Sequence, residues 1–114
     1  MELRLHVTSK STWKALERDT AKEIGGVRNG NRGAATADAE NAHLVVECKS
    51  WSRPPARVVG ALRQAELAAR NGDKVPVARI HTLRKDKAGD LAVLRWSVLL
   101  DLMRMAGIAK GVEE

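Results

Sequence analysis

The chain has 114 residues, 44% of them hydrophobic and 30% charged, with a net charge of +6. This is the length of one domain, long enough to bury a core without staples, and the composition excludes a disordered chain. No apolar run approaches the ~18 residues of a membrane span, and the N-terminus lacks the apolar segment of a signal peptide. The single cysteine, Cys48, excludes an intramolecular disulfide and a Cys-based zinc site. A reducing, cytoplasmic compartment is the expectation.

In chain order, residues 3–7 read as a short strand or an ordered arm. Ser11 is a candidate N-cap for a helix that runs to about Ile24 and stops at Gly25-Gly26. Residues 25–36 are rich in Gly and Asn and read as a loop or hairpin tip. A strand over 37–40 precedes the strongest strand of the chain, 43–49 (HLVVECK). Trp51-Ser-Arg-Pro-Pro55 is a break, and a helix follows from about Ala56 to Arg70, ended by Asn71-Gly72. Residues 75–83 form a further strand, 84–90 a charged turn and 91–96 another strand. Ser97 can cap a last helix to about Met105, closed by Gly107. The order α-β-β-α-β-β-α predicts a small α/β domain over about 10–106, with a central mixed sheet flanked by helices.

The positive charge is concentrated. Residues 53–87 hold nine basic and three acidic side chains, while the segments on either side are nearly balanced. Such a stretch points to a polyanionic partner, nucleic acid first, or to a surface that is simply basic. Phe and Tyr are absent and there are three Trp, which argues against modules that stack several bases on aromatics. Arg outnumbers Lys, a usage compatible with either a GC-rich genome or a thermophilic host.

Within 43–49, period-2 alternation puts Leu44, Val46 and Cys48 on one face and Val45, Glu47 and Lys49 on the other. A carboxylate and an ammonium thus leave the same face of a strand whose composition is that of a buried one, where charge needs a partner or a ligand; the alternative is a surface ion pair on an edge strand. The acid-x-Lys spacing alone decides nothing, since a chain of this composition holds about one by chance. Asp38 lies nine residues upstream of Glu47, and a hairpin would bring the two together. Paired carboxylates favour a shared proton or a hard cation, although Asp38 also fits as a turn residue. Glu17 falls on the helical arc of Trp13, Leu16, Thr20, Ala21 and Ile24. A carboxylate on the core-facing stripe breaks the pattern of its own helix, as functional residues do, unless it snorkels from the edge. Gln64 stands at the edge of the apolar arc of the second long helix, where it either reaches the same cleft or is solvated.

Glu17 on the first helix, Asp38 entering a strand, Glu47-x-Lys49 in the next and Gln64-Ala65 on the following helix resemble the PD-(D/E)xK nuclease superfamily. Within it, the layout is most like that of archaeal and phage Holliday-junction resolvases. The resemblance spans residues 10–104, and Ala37 stands where that family often has Pro. It implies that Asp38, Glu47 and the Cys48 main-chain carbonyl hold Mg²⁺ (or Mn²⁺), with Glu17 a further ligand or outer acid. It further implies that Lys49 orients the attacking water and that the products carry 5′-phosphate and 3′-hydroxyl ends. Arg28, Arg32, Arg53 and Arg57 would then hold flanking phosphates, contacts that position a duplex without reading its sequence. The expectation is a homodimer that nicks both strands of a four-way junction. A flap, fork or general nuclease and a non-catalytic DNA-binding module are the alternatives. Trp51, Trp96 and the last helix are each candidates for the dimer interface or the core. A small-molecule substrate is not expected: there is no P-loop and no dinucleotide glycine pattern, and His6, His43 and His81 are scattered.

Overall fold

The computed structural model describes residues 10–30, 37–70 and 72–109. The expected strand or arm at 3–7 and the loop cation Arg32 lie outside them. Among the described residues the fold is mixed α/β, with three helices and two small antiparallel sheets. The elements are α1 (Lys10–Ile24), β1 (Val27–Arg28), β2 (Ala39–Glu40), β3 (Val45–Val46), α2 (Ala56–Ala69), β4 (Ala78–Ile80), a 3₁₀ turn (Lys87–Gly89), β5 (Leu91–Val93) and α3 (Trp96–Met105). They fall into two compact units. One runs up to Ser50 and takes up the chain again from Leu100; the other is Trp51–Leu99.

The single central sheet expected from the element order is not what the hydrogen bonds build. One sheet has the order β1-β2-β3, and β4 and β5 form a second. The strands are also shorter than their sequence patterns. The 43–49 segment contributes only Val45–Val46 to a ladder, and three of its other amides find side-chain partners. The amides of His43 and Leu44 donate to Asn41 Oδ1, both at 2.8 Å, and the Cys48 amide donates to Asp38 Oδ2 at 2.7 Å. A carboxamide and a carboxylate thus replace carbonyls that a longer partner strand would have supplied. The additional strand β1 comes from the segment after Gly25-Gly26, which turns back to pair Val27 with Glu40 and Arg28 with Ala39.

The glycine stops after α1 and α3 act as predicted. Gly25 takes φ +66°, Gly25 N donates to Lys22 O, and Gly26 N donates to Ala21 O. This is the paired closure of a Schellman motif. Gly107, at φ +77°, ends α3 in the same way, through Gly107 N to Arg104 O and Ile108 N to Met103 O. Gly26 is constrained further: a Cβ there would lie 2.0 Å from the Glu40 carbonyl oxygen. The helix starts depart from expectation. Ser97 lies inside α3, one residue past its first helical position, and Ser11 lies inside the described part of α1.

In the first unit, Ala21 and Ile24 of α1, Ala39 of β2, and Leu100 and Met103 of α3 are buried. Together with buried Thr20 and Glu17 they show that the inward arc of α1 is the one the periodicity defines, although Trp13 and Leu16 at its N-terminal end stay exposed. Fully burying an aliphatic side chain such as Ile24 contributes about 2 kcal/mol. Asn41 ties the unit together from the β2–β3 turn. Its Nδ2 donates to Ile24 O at the end of α1 and to Ile108 O beyond α3, at 2.9 and 3.0 Å, while its Oδ1 takes the two turn amides. In the second unit, α2 packs on β4, with Leu62 and Ala78 buried. Arg95 makes a two-pronged pair with Glu66 at 2.8 and 3.0 Å.

Candidate functional site

The β2–β3 hairpin decides where the acidic residues stand. Its register pairs Ala39 with Val46 and Glu40 with Val45. One more step sets Asp38 opposite Glu47, and the Cys48 amide bound to Asp38 Oδ2 holds the two chain segments together at that point. The alternation read from the sequence holds: Leu44, Val46 and Cys48 are half-buried, and Val45, Glu47 and Lys49 are exposed. The expectation that the strand buries its charged face does not hold. β3 is an edge strand, and the Glu47 and Lys49 side chains are 60% and 64% exposed with 4.0 Å between Oε2 and Nζ. Such a pair is weak, and both groups face solvent, where a polyanion can reach them.

Glu17 is the reverse case. Its position on the inward arc of α1 buries it, and β1 supplies its partner: Arg28 Nε donates to Glu17 Oε1 at 2.8 Å. The pair lines a cleft of about 260 Å³ with Trp13, Lys14, Gly30 and Asp38. The cleft is smaller than the ~300–1,000 Å³ of typical ligand pockets, and its walls carry charges of both signs. Arg28 is therefore a strand residue committed through Nε to Glu17, in place of the free loop cation expected, while the rest of its guanidinium keeps further donors.

Asp38, Glu47, the Cys48 carbonyl and Glu17, expected as metal ligands, are not gathered into a ready-made cage. Among the described residues, no three Asp, Glu, His or Cys side chains stand close enough together to hold a metal ion. The physical reason lies in their partners: Glu17 is taken by Arg28, Asp38 Oδ2 by the Cys48 amide, and Glu47 is turned to solvent. The three carboxylates nonetheless act on one place. Burial pushes the Cys48 thiol up from its usual value, a hydrogen bond with the Thr20 hydroxyl opposes this, and the charges of Asp38, Glu17 and Glu47 push it up further.

The remaining predicted contacts belong to the second unit. Arg53 precedes α2, and Arg57 and Gln64 are on it; all three are exposed. Sequence reasoning missed Lys14, which lies outside the inward arc of α1 and borders the cleft. It also missed Asn29, which is buried. Asn29 Nδ2 donates to Ala37 O and Glu40 Oε1, and its amide donates to Asp38 O, fixing the backbone on which Asp38 rides. No local signal distinguishes Asn29 from the other loop asparagines.

The architecture defines a mixed α/β protein with a cleft lined by charges of both signs. No family model, curated protein or solved structure matches the chain. Among the described residues, no helix is long and apolar enough to cross a membrane.

Proposed function

We propose that the protein is a metal-dependent, structure-selective DNA endonuclease of the PD-(D/E)xK kind, with a four-way junction as its substrate and two copies acting together. The observation that carries this reading is the hairpin register that sets Asp38 opposite Glu47, with Cys48 bonded to Asp38 and Lys49 two residues beyond Glu47. The donor chemistry fits Mg²⁺: Asp38, Glu47 and the Cys48 carbonyl would hold the ion. When bound, it would supply Lewis-acid polarisation of the phosphate and a more acidic water. Lys49, exposed beside Glu47, would orient the water and offset charge on the phosphate. Buried Glu17, paired with Arg28, would hold that guanidinium in the cleft wall that Asp38 also lines. Arg28 in the first unit, and Arg53, Arg57 and Gln64 in the second, would contact phosphates.

The solvent-facing Glu47–Lys49 pair and the absence of a preassembled three-ligand cage among the described residues also favour a second reading, a nucleic-acid-binding module without catalysis. One experiment separates the two. The protein and its Glu47→Ala variant are incubated with a labelled four-way junction and the matching linear duplex, in Mg²⁺ and in EDTA. Paired symmetric nicks in the junction alone, lost with EDTA and in the variant, are expected. Equal cutting of both DNAs would keep the nuclease and remove the junction preference. Binding without nicks would leave the binding module.

A further inference from the structure

The hairpin joining β4 to β5 pairs one of its two acids at its stem and leaves three cations near its tip without an ion pair among the described residues. Asp90 is 8% exposed in its side chain and accepts from Arg79 Nε at 2.7 Å and from His81 Nδ1 at 2.6 Å. Continuing the Ile80–Leu91 pairing by one step sets His81 opposite Asp90. Asp86 is exposed, with its Oδ1 accepting the Ala88 amide at the head of the 3₁₀ turn. Arg84, Lys85 and Lys87 are all exposed and make no ion pair with any described carboxylate. The tip of the hairpin therefore carries three cations against the single exposed carboxylate of Asp86, an excess of positive charge.

The backbone makes the charge at 84 costly. Lys85 N donates to Thr82 O at 3.1 Å, closing a turn whose third residue, Arg84, has φ +65°. Turns of this shape fill that position with Gly or Asn, because an L side chain is strained there. Strained positions persist where the side chain has a function. Leu83 beside it is 82% exposed, so packing does not account for the loop.

We infer that the Arg84, Lys85 and Lys87 side chains at this hairpin tip form a contact for the phosphodiester backbone of double-stranded nucleic acid. The choice of partner rests on the nucleic-acid reading above; the geometry of the tip does not. Asp90 holds the base of the hairpin through Arg79 and His81, so the tip is presented on a braced stem and pays little ordering cost on binding. The contact carries no sequence information, because it addresses phosphate alone.

Binding of a labelled linear duplex in EDTA, measured against salt concentration, tests this without catalysis. Each phosphate contact contributes about 0.9 to the slope of log K against log salt. The combined Arg84→Ala, Lys85→Ala, Lys87→Ala variant is expected to lower the slope by about 3, and Leu83→Gln, in the same loop, to leave it unchanged. Arg84→Gly is expected to raise the melting temperature while reducing the slope by about 1, a combination a purely structural arginine does not produce. An unchanged slope in the triple variant overturns the contact, as does an equal loss in Leu83→Gln. Hairpin-dependent binding with no cleavage of any DNA would retain the contact and remove the nuclease. Cleavage with no effect of the hairpin would do the reverse, and a wild-type chain that binds no duplex removes the contact.

Discussion

Glu17 and Arg28 form the buried ion pair of the first unit: Oε1 and Nε are 2.8 Å apart, with side chains 7% and 26% exposed. Removing the cation leaves a buried carboxylate without compensation, whereas removing both charges also removes their desolvation cost. Arg28→Met is expected to destabilise by about 2 kcal/mol, less than the 3–5 kcal/mol of a fully buried pair because Arg28 keeps some water. Adding Glu17→Leu should recover most of that loss. Urea unfolding of the single and double variants measures both. A single variant within about 0.5 kcal/mol of the parent would show that the pair is not coupled to folding.

The glycine pair after α1 makes two distinct demands. Gly25→Ala pays for a left-handed backbone, about 1 kcal/mol. Gly26→Ala drives a methyl group against the Glu40 carbonyl at 2.0 Å, and the clash is with backbone, so it should cost about 3 kcal/mol. Thermal and urea denaturation should rank Gly26 above Gly25; the opposite order would contradict the close approach of the helix end to β2.

Asn41 satisfies four backbone groups at once. Asn41→Ala should therefore cost about 3 kcal/mol, well above the ~1 kcal/mol of an ordinary hydrogen bond. Asn41→Asp keeps the two turn amides satisfied but sets a carboxylate oxygen against the Ile24 and Ile108 carbonyls. Hydrogen exchange is the informative readout, because loss of protection should appear at the end of α1 and at the β2–β3 turn together.

At the stem of the second hairpin, the hydrogen bond from His81, against the cost of burial, and then Arg79 hold the Asp90 carboxyl below its usual 3.8. A depressed folded-state value means the unfolded chain binds the proton more tightly, so the stabilisation is complete above pH 3.8 and is lost as pH falls through the lower folded value. Carboxyl chemical shifts of Asp90 followed down in pH should titrate below 3.8. His81→Ala should move the midpoint up; a midpoint at or above the usual value in the parent would count against the braced stem.

The Cys48 thiol has the opposite sign. Burial first, then the Asp38, Glu17 and Glu47 charges, against the Thr20 hydrogen bond, raise it above 9.0. Its contribution to stability is complete below 9.0 and is lost as pH rises through the higher folded value. The pH profile of alkylation by iodoacetamide should have its midpoint above 9.0, and Asp38→Asn should lower it. No response to Asp38→Asn would mean that Asp38 does not act on the Cys48 site, which would also weaken the nuclease reading.

Local pattern carried much of this chain. The 3.6-residue period of α1 put Glu17 on the inward arc, and the structure buries it there. The period of two over 44–49 separated Cys48 from Glu47 and Lys49, and exposure follows that separation. Glycines 25, 26 and 107 ended their helices because their backbone freedom is a local property. Strand length was misjudged, and the amides of 43, 44 and 48 bond to Asn41 and Asp38 side chains, which no strand propensity encodes. The supposed burial of Glu47 and Lys49 failed for a related reason: a Val-rich run looks alike at the centre and at the edge of a sheet.

The sequence by itself determined which way the side chains of α1 and β3 point and where the helices stop, since these follow from backbone geometry over a few residues. Tertiary structure alone decided that Arg28 neutralises Glu17, that Asp38 stands opposite Glu47, that the strands divide into two sheets, and that Asp90 is paired at its stem while Arg84, Lys85 and Lys87 make no ion pair among the described residues. Those outcomes depend on where distant segments return to meet. Charge, unlike periodicity, takes its meaning from the partner it meets across space.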